Sequence, residues 1–223
     1  FSLLLKFATP FNRKQAYLPL EPMSVCGSSS FSNPNDRRRE LQMLTILGRA
    51  TSSNVQKVTW LCDECNIEFE RKDIGGPFGG NDKPEYLKLN PNGKVPCVID
   101  DGFVIWESNA ILQYLGAKHA QGTWYPVDLK QRGRAVQWMD WALSTYFVAA
   151  RPVFIDLTRT PADKRDMAAM GKARDVWSKT VAILDGHLGG NQYIAGDTIT
   201  IGDMPVAIFT YRWFALPIER ENY

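Results

Sequence analysis

Between Asn90 and Ile111 the chain reads Asn-Pro-Asn-Gly-Lys-Val-Pro-Cys-Val-Ile-Asp-Asp-Gly-Phe-Val-Ile-Trp-Glu-Ser-Asn-Ala-Ile. This stretch leaves the backbone little choice. Asp101-Gly102 sits between two runs of β-formers, Val95–Asp100 and Phe103–Trp106, the pattern of a tight hairpin. Ser108 then offers an N-cap, and Ile111, Leu112 and Leu115 follow at helical spacing. Pro96 is out of place in an interior strand because it supplies no ladder donor. It points to an edge, a bulge or a cis bond, and a cis bond would leave the Val95 backbone turned outward. Glu107 and Ser108 would set a carboxylate and the free amides of a helix start beside that backbone, a pocket suited to a ligand carrying both an amine and a carboxylate.

The remaining pattern frames this unit. Met43–Gly48 reads as a buried strand, and Asn54–Cys65 as a helix with Val55, Val58, Leu61, Cys62 and Cys65 on its apolar face. Ile67–Ile74 alternates as a strand. A loop with four glycines among residues 75–80 precedes a short helical turn near Pro84–Leu89. With the hairpin and its helix, residues 43–120 form a β-α-β-α-β-β-α unit, and Gln121–Val127 is a linker candidate. After it the strand signals stop. Asp128–Ala150 and Ala162–Leu188 carry helical periods, and Thr200-Ile-Gly-Asp203 resembles a capping box opening a helix through Val206, Phe209 and Trp213 towards Pro217. The expected architecture is therefore α/β over 43–120 and all-α over 128–223.

Pro-Asn-Gly-Lys-Val-Pro, a hairpin and Glu-Ser-Asn-Ala-Ile together resemble the glutathione-binding half of soluble glutathione S-transferases, whose N-terminal domain is thioredoxin-like. The resemblance covers Met43 to Tyr223. It implies that the all-helical domain is incomplete at the C-terminus, because the family normally continues with further helices. Residues 1–42, with the polar run Ser28–Glu40, read as a disordered or non-native extension outside the fold.

A glutathione enzyme must hold a thiol as its thiolate at neutral pH, by hydrogen bonds to sulfur and the positive end of a helix. The donor is then expected after the first strand, in Gly48-Arg-Ala-Thr-Ser-Ser-Asn-Val-Gln-Lys57. That segment holds neither tyrosine nor cysteine, which argues against the tyrosine and cysteine classes. The resemblance makes Ser52 the serine-type, theta-like catalytic hydroxyl, with Asn54 supporting through its amide. The cluster Thr51, Ser52, Ser53 and Asn54 also suits simple helix capping. Whether Ser52 or Ser53 faces the thiol stays open at this stage. Arg49 adds positive potential near the sulfur or is an ordinary solvated arginine. By the same resemblance, the Val95 backbone, freed by cis-Pro96, pairs with the cysteinyl portion of glutathione. Glu107 and Ser108 hold the γ-glutamyl amine and carboxylate, and Asn81 reaches the glycyl carboxylate or is a plain loop residue.

Composition narrows the rest. With 26 basic and 24 acidic residues and a net charge of +2, nothing points to nucleic acid or an anionic membrane. No apolar run approaches the ~20 residues of a membrane-spanning helix. Four cysteines in 223 residues make no disulfide framework and point to a reducing cytoplasm. Cys62 and Cys65 form a C-x-x-C inside a helix rather than at its start, and with only two histidines, His119 and His187, no metal site is expected. They and Cys97 read as buried structural residues, and His119 as a favourable charge at a helix end. The resemblance implies attack of glutathione thiolate on a hydrophobic electrophile held against aromatics such as Tyr146, Phe147, Trp213 and Phe214, in a homodimer. A glutathione-dependent disulfide reductase and a non-catalytic binding or dimerisation domain are the alternatives.

Overall fold

The computed structural model describes residues 43–220, so the expected extension over 1–42 lies outside the described residues. Four short strands make one mixed sheet: β1 (Leu44–Leu47), β2 (Phe69–Lys72), β3 (Cys97–Asp100) and β4 (Phe103–Trp106). Their order is β2-β1-β3-β4, with β1 parallel to β2 and antiparallel to β3, and β3 antiparallel to β4. The helices α1 (Ser53–Glu64), α2 (Pro84–Leu89) and α3 (Ser108–His119) complete the βαβαββα order of a thioredoxin-like unit.

The apolar periods named above are the ones buried. Ile46, Val55, Val58, Leu61, Cys62, Val98, Ile111, Leu112 and Leu115 lose essentially all solvent contact. Each such side chain contributes roughly 1.5–3 kcal/mol of transfer free energy. Cys65 instead forms the half-buried C-cap of α1, its N–H donating to the Leu61 carbonyl, because the helix ends one residue earlier than its apolar period. Strand β3 begins at Cys97 rather than Val95, since Pro96 has no N–H to place in the ladder. Asp101 and Gly102 both take positive φ, as a two-residue hairpin turn between right-twisted strands requires. A 3-10 turn at Gly76–Phe78, unforeseen in the sequence, tightens the glycine-rich loop.

The other unit is helical: α4 (Leu129–Trp141), α5 (Phe147–Arg159), α6 (Met167–Leu188) and α7 (Asp203–Ala215). Helix α4 is capped by Asp128, which accepts from Gln131 N, and α6 by Asp166, which accepts from Ala168 N and Ala169 N. The first helical run continues nine residues beyond Ala150, through a π segment at Ala142–Tyr146 and past Pro152, to Arg159. The second starts at Met167 instead of Ala162, because Asp166 caps it there. The core of this unit holds Met139, Tyr146, Trp177, Val181, Leu184, Val206 and Trp213. Trp177 and Trp213 meet edge to face at 4.9 Å, and Tyr146 Oη lies 3.2 Å from Thr210 Oγ1. The expected truncation of this domain finds no support in the architecture. Grouped by contacts, the chain divides within α3, between Leu115 and Gly116, rather than in the 121–127 segment. Among the described residues no helix is long and apolar enough to cross a membrane.

Candidate active site

The β1–α1 turn is drawn tightly against the segment that enters β3. A Cβ built on Gly48 would lie 2.5 Å from Val55 Cγ2 and 3.1 Å from Val95 Cβ, so only glycine lets the two approach. The Val95–Pro96 peptide is cis. Val95 precedes the first paired residue of β3, which leaves its N–H and C=O outside the sheet ladder. The Asn90–Lys94 turn that delivers it is pinned from three sides. Asn90 Nδ2 and Tyr86 Oη donate to the Lys94 carbonyl at 2.8 and 2.5 Å, and Asn81 Nδ2 donates to the Gly93 carbonyl at 2.9 Å. Asn81 is thus a brace for the turn, while its Oδ1 faces Gly75. Around Gly75, whose φ is +82°, Arg49 Nη1, Val95 Cγ1 and Asn81 Oδ1 lie within 3.4, 3.4 and 3.7 Å of where a Cβ would stand.

Ser52 is the N-cap of α1 by backbone, with φ −78° and ψ 122°, and its carbonyl accepts from Gln56 N at 2.9 Å. Its side chain makes no capping bond, and the residue is 9% exposed. A serine at this position normally spends its hydroxyl on the helix amides. Here it does not. Ser53 and Asn54 begin the helix itself, both half-buried.

At the other end of the hairpin, Glu107 adopts φ +70°, a conformation that costs a non-glycine residue about 1–2 kcal/mol. Its carbonyl accepts from Ile111 N at 2.9 Å, so the cap of α3 is Glu107, one residue before the serine expected there. The turn leaves the Glu107 side chain exposed and Ser108 buried. Beneath them lies Lys57 of α1, only 3% exposed, whose Nζ donates to Ser108 Oγ at 3.3 Å and to Asn109 Oδ1 at 3.5 Å. Burial lowers the Lys57 pKa to about 8 against an upward pull from Glu107. Of the residues named from sequence, Val95 and Asn81 are brought together with Arg49 around Gly75, and Glu107 and Ser108 form one corner. Ser52 ends the turn whose Gly48 packs on Val95, and Asn54 lies in the first turn of α1 beyond it.

A curated relative, glutathione S-transferase GstB of Escherichia coli K12, is 37% identical over 174 residues, spanning 77% of this chain and 84% of its own length. The chain belongs to the glutathione S-transferase family. It is accordingly an enzyme, a glutathione transferase. The model of the glutathione S-transferase N-terminal domain matches residues 42–117. Glutathione S-transferase 3 of Zea mays is 28% identical, covering 72% of this chain and 73% of its own. Among solved structures, the theta class glutathione S-transferase of the citrus canker pathogen Xanthomonas axonopodis pv. citri, with glutathione bound, superposes with a TM-score of 0.78. That protein is 40% identical over 81% of this chain and 87% of its own.

Sequence reasoning missed the glutathione transferase's Lys57, Tyr86 and Asn90. Lys57 had a signal: with Asn54 and Leu61 it lies at i, i+3 and i+7 along one edge of α1, so it flanks the buried face rather than opposing it. Cys62 and Cys97 are structural in their electrostatics, since burial pushes their thiols up to about 12 and about 11. Burial likewise raises Cys65. Of the aromatics expected to wall a second site, Tyr146 and Trp213 are fully buried core residues, which corrects that expectation, while Phe147 and Phe214 are half-buried. Among the described residues no group of three or more His, Cys, Asp and Glu is arranged to hold a metal.

Proposed function

We propose that Ser52 holds the glutathione sulfur as a thiolate, with Asn54 in support, and that this thiolate attacks a hydrophobic electrophile. The observation carrying this reading is the Ser52 hydroxyl: it stands at the start of a helix and makes no bond to it. An O–H aimed at sulfur and the positive end of α1 both favour the anion over the thiol. The sulfur lone pair forms the new C–S bond, and the electron pair of the broken bond leaves with the displaced group or moves along the substrate's π system. The unpaired Val95 backbone fits the cysteinyl amide and carbonyl. Glu107 and Ser108 fit the γ-glutamyl amine and carboxylate. Asn81, beside Arg49, faces the glycyl end. The family resemblance alone carries the further expectations of a homodimer and a cytoplasmic location.

The test is a pH titration of bound glutathione followed by thiolate absorbance. The wild type is expected to lower the thiol pKa below that of free glutathione, and Ser52→Ala to return it towards the free value with binding retained. An unchanged bound pKa in Ser52→Ala would remove Ser52 from the chemistry.

A further inference from the structure

Asparagine followed by glycine is a labile pair. The glycine nitrogen, unshielded by any Cβ, attacks the asparagine side-chain carbon and expels ammonia, leaving a cyclic imide. Water opens the ring at either carbonyl, to aspartate or to isoaspartate, whose backbone runs through the former side chain and is longer by a methylene. Nitrogen leaves as ammonia and water supplies the replacing oxygen, so the step needs no oxidant. This chain places the pair at Asn92-Gly93, in the turn that carries Val95 into the candidate active site, with Asn92 exposed to water. Glycine cannot be exchanged here: Gly93 has φ +58°, and a Cβ on it would lie 3.0 Å from the Asn81 carbonyl oxygen. The fold instead occupies both reacting groups. Asn90 and Pro91 open a β-turn in which each is favoured, and Gly93 N closes it by donating to the Asn90 carbonyl at 3.0 Å. The Asn92 side-chain amide donates to Asn90 Oδ1 at 3.3 Å, and the Asn92 N–H to the same oxygen at 3.1 Å. Asn90 is buried and donates from Nδ2 to the Lys94 carbonyl at 2.8 Å, so its side chain is fixed. Attack requires both the nucleophilic nitrogen and the amide under attack to part from Asn90.

We propose that Asn92-Gly93 is a site of spontaneous deamidation held in check by Asn90, and that isoaspartate formed there ends glutathione binding. The consequence follows from where the extra methylene falls. The Gly93 carbonyl accepts from Asn81 Nδ2 at 2.9 Å, and Val95, two residues on, packs on Gly48, whose Cβ would lie 3.1 Å from Val95 Cβ. A lengthened backbone cannot keep both contacts, so Val95 is displaced. This loss of binding rests on the reading of Val95 as a glutathione contact, whereas the chemistry at Asn92 does not.

The experiment ages the protein in mildly alkaline buffer, folded and in urea, and follows the peptide holding Asn92 by mass spectrometry with isoaspartate quantified. The folded protein is expected to react at least about tenfold more slowly than the unfolded chain, the cost of parting two hydrogen bonds. Equal rates, or no isoaspartate at Asn92 in urea, overturn the proposal. Ion exchange then separates the deamidated protein by its added negative charge. Its isoaspartate fraction should bind glutathione about tenfold more weakly or worse in calorimetric titration, having lost the backbone contact at Val95. Freshly prepared Asn92→Asp, which gains the charge without the methylene, should stay within about threefold of wild type, and aged Asn92→Ala should keep its affinity. An isoaspartate fraction that binds within about twofold of fresh wild type overturns the proposal, as does equal loss in aged Asn92→Ala. Asn92→Asp as weak as the isoaspartate form does the same, because charge rather than backbone length would then be the cause. Failure of fresh wild type to bind glutathione would instead strike at the glutathione site itself.

Discussion

Helix starts in the two parts of this molecule solve the same problem in opposite ways. At α7, Asp203 is completely buried and both its oxygens are used: Oδ1 accepts from Ile194 N at 2.9 Å, and Oδ2 from Thr200 N at 2.7 Å and Thr200 Oγ1 at 2.9 Å. Thr200 Oγ1 accepts in turn from Gly202 N, which closes the corner on itself. Gly202 is needed because a Cβ there would lie 2.8 Å from the Ala135 backbone. At α1, the capping serine makes no side-chain bond to the helix, and at α3 the capping residue is a glutamate at positive φ with its carboxylate in solvent. A helix start closed by its own side chains holds the fold. A start left open, at some cost in strain and unsatisfied amides, has its donors available to a ligand.

The largest effect that sharpens this contrast belongs to the closed corner. Asp203→Ala removes the acceptor for three buried donors and should destabilise the protein by about 3 kcal/mol or more, read by urea unfolding. A loss under about 1 kcal/mol would mean that the corner is not the structural anchor described. Ser52→Ala should do the reverse. With no capping bond to lose, stability should change by less than about 0.5 kcal/mol, while glutathione-dependent turnover falls about tenfold to a hundredfold. A stability loss of about 1 kcal/mol with full activity would return Ser52 to ordinary capping and break the comparison.

Glu107→Gly sits between them. Glycine relieves the positive φ but adds backbone entropy to the unfolded chain, so stability should shift by no more than about 1 kcal/mol. Glutathione affinity should fall nevertheless, because the carboxylate proposed to meet the ligand amine is gone. Calorimetric titration alongside thermal melting checks both, and undiminished affinity would exclude Glu107 from the γ-glutamyl contact.

The legible parts of this molecule are those written in local pattern. The Asp-Gly turn, the apolar periods of α1 and α3, and the capping motif at Thr200 each declare themselves over a few residues. Pro96 correctly marked a break in pairing, whereas the helical run bounded at Ala150 in the sequence continues past Pro152. The aromatic residues of the helical unit could not be sorted by sequence into core and pocket, because a buried Tyr146 and a half-buried Phe147 are adjacent and chemically alike. Lys57 is the instructive omission. It is buried against Ser108, 51 residues away, and no local window contains that contact.

The smallest expected effect is a difference in pH dependence between the two corners. Burial raises the Asp203 carboxyl from 3.8 to about 6, against the downward pull of the hydrogen bonds it accepts. A raised acid pKa means that the folded state binds the proton more tightly, so its contribution is fully present below pH 3.8 and is lost as pH rises through about 6. Lys57 is lowered from 10.5 to about 8, so its contribution is present above pH 10.5 and is lost as pH falls through about 8. Near neutrality both corners carry their full electrostatic cost. Unfolding measured from pH 4 to 10 should therefore show Lys57→Met lacking the gain that the wild type makes as pH rises above about 8, and Asp203→Asn lacking the gain that it makes as pH falls below about 6. An alkaline arm that survives Lys57→Met would assign it to another group and take away the electrostatic half of the contrast.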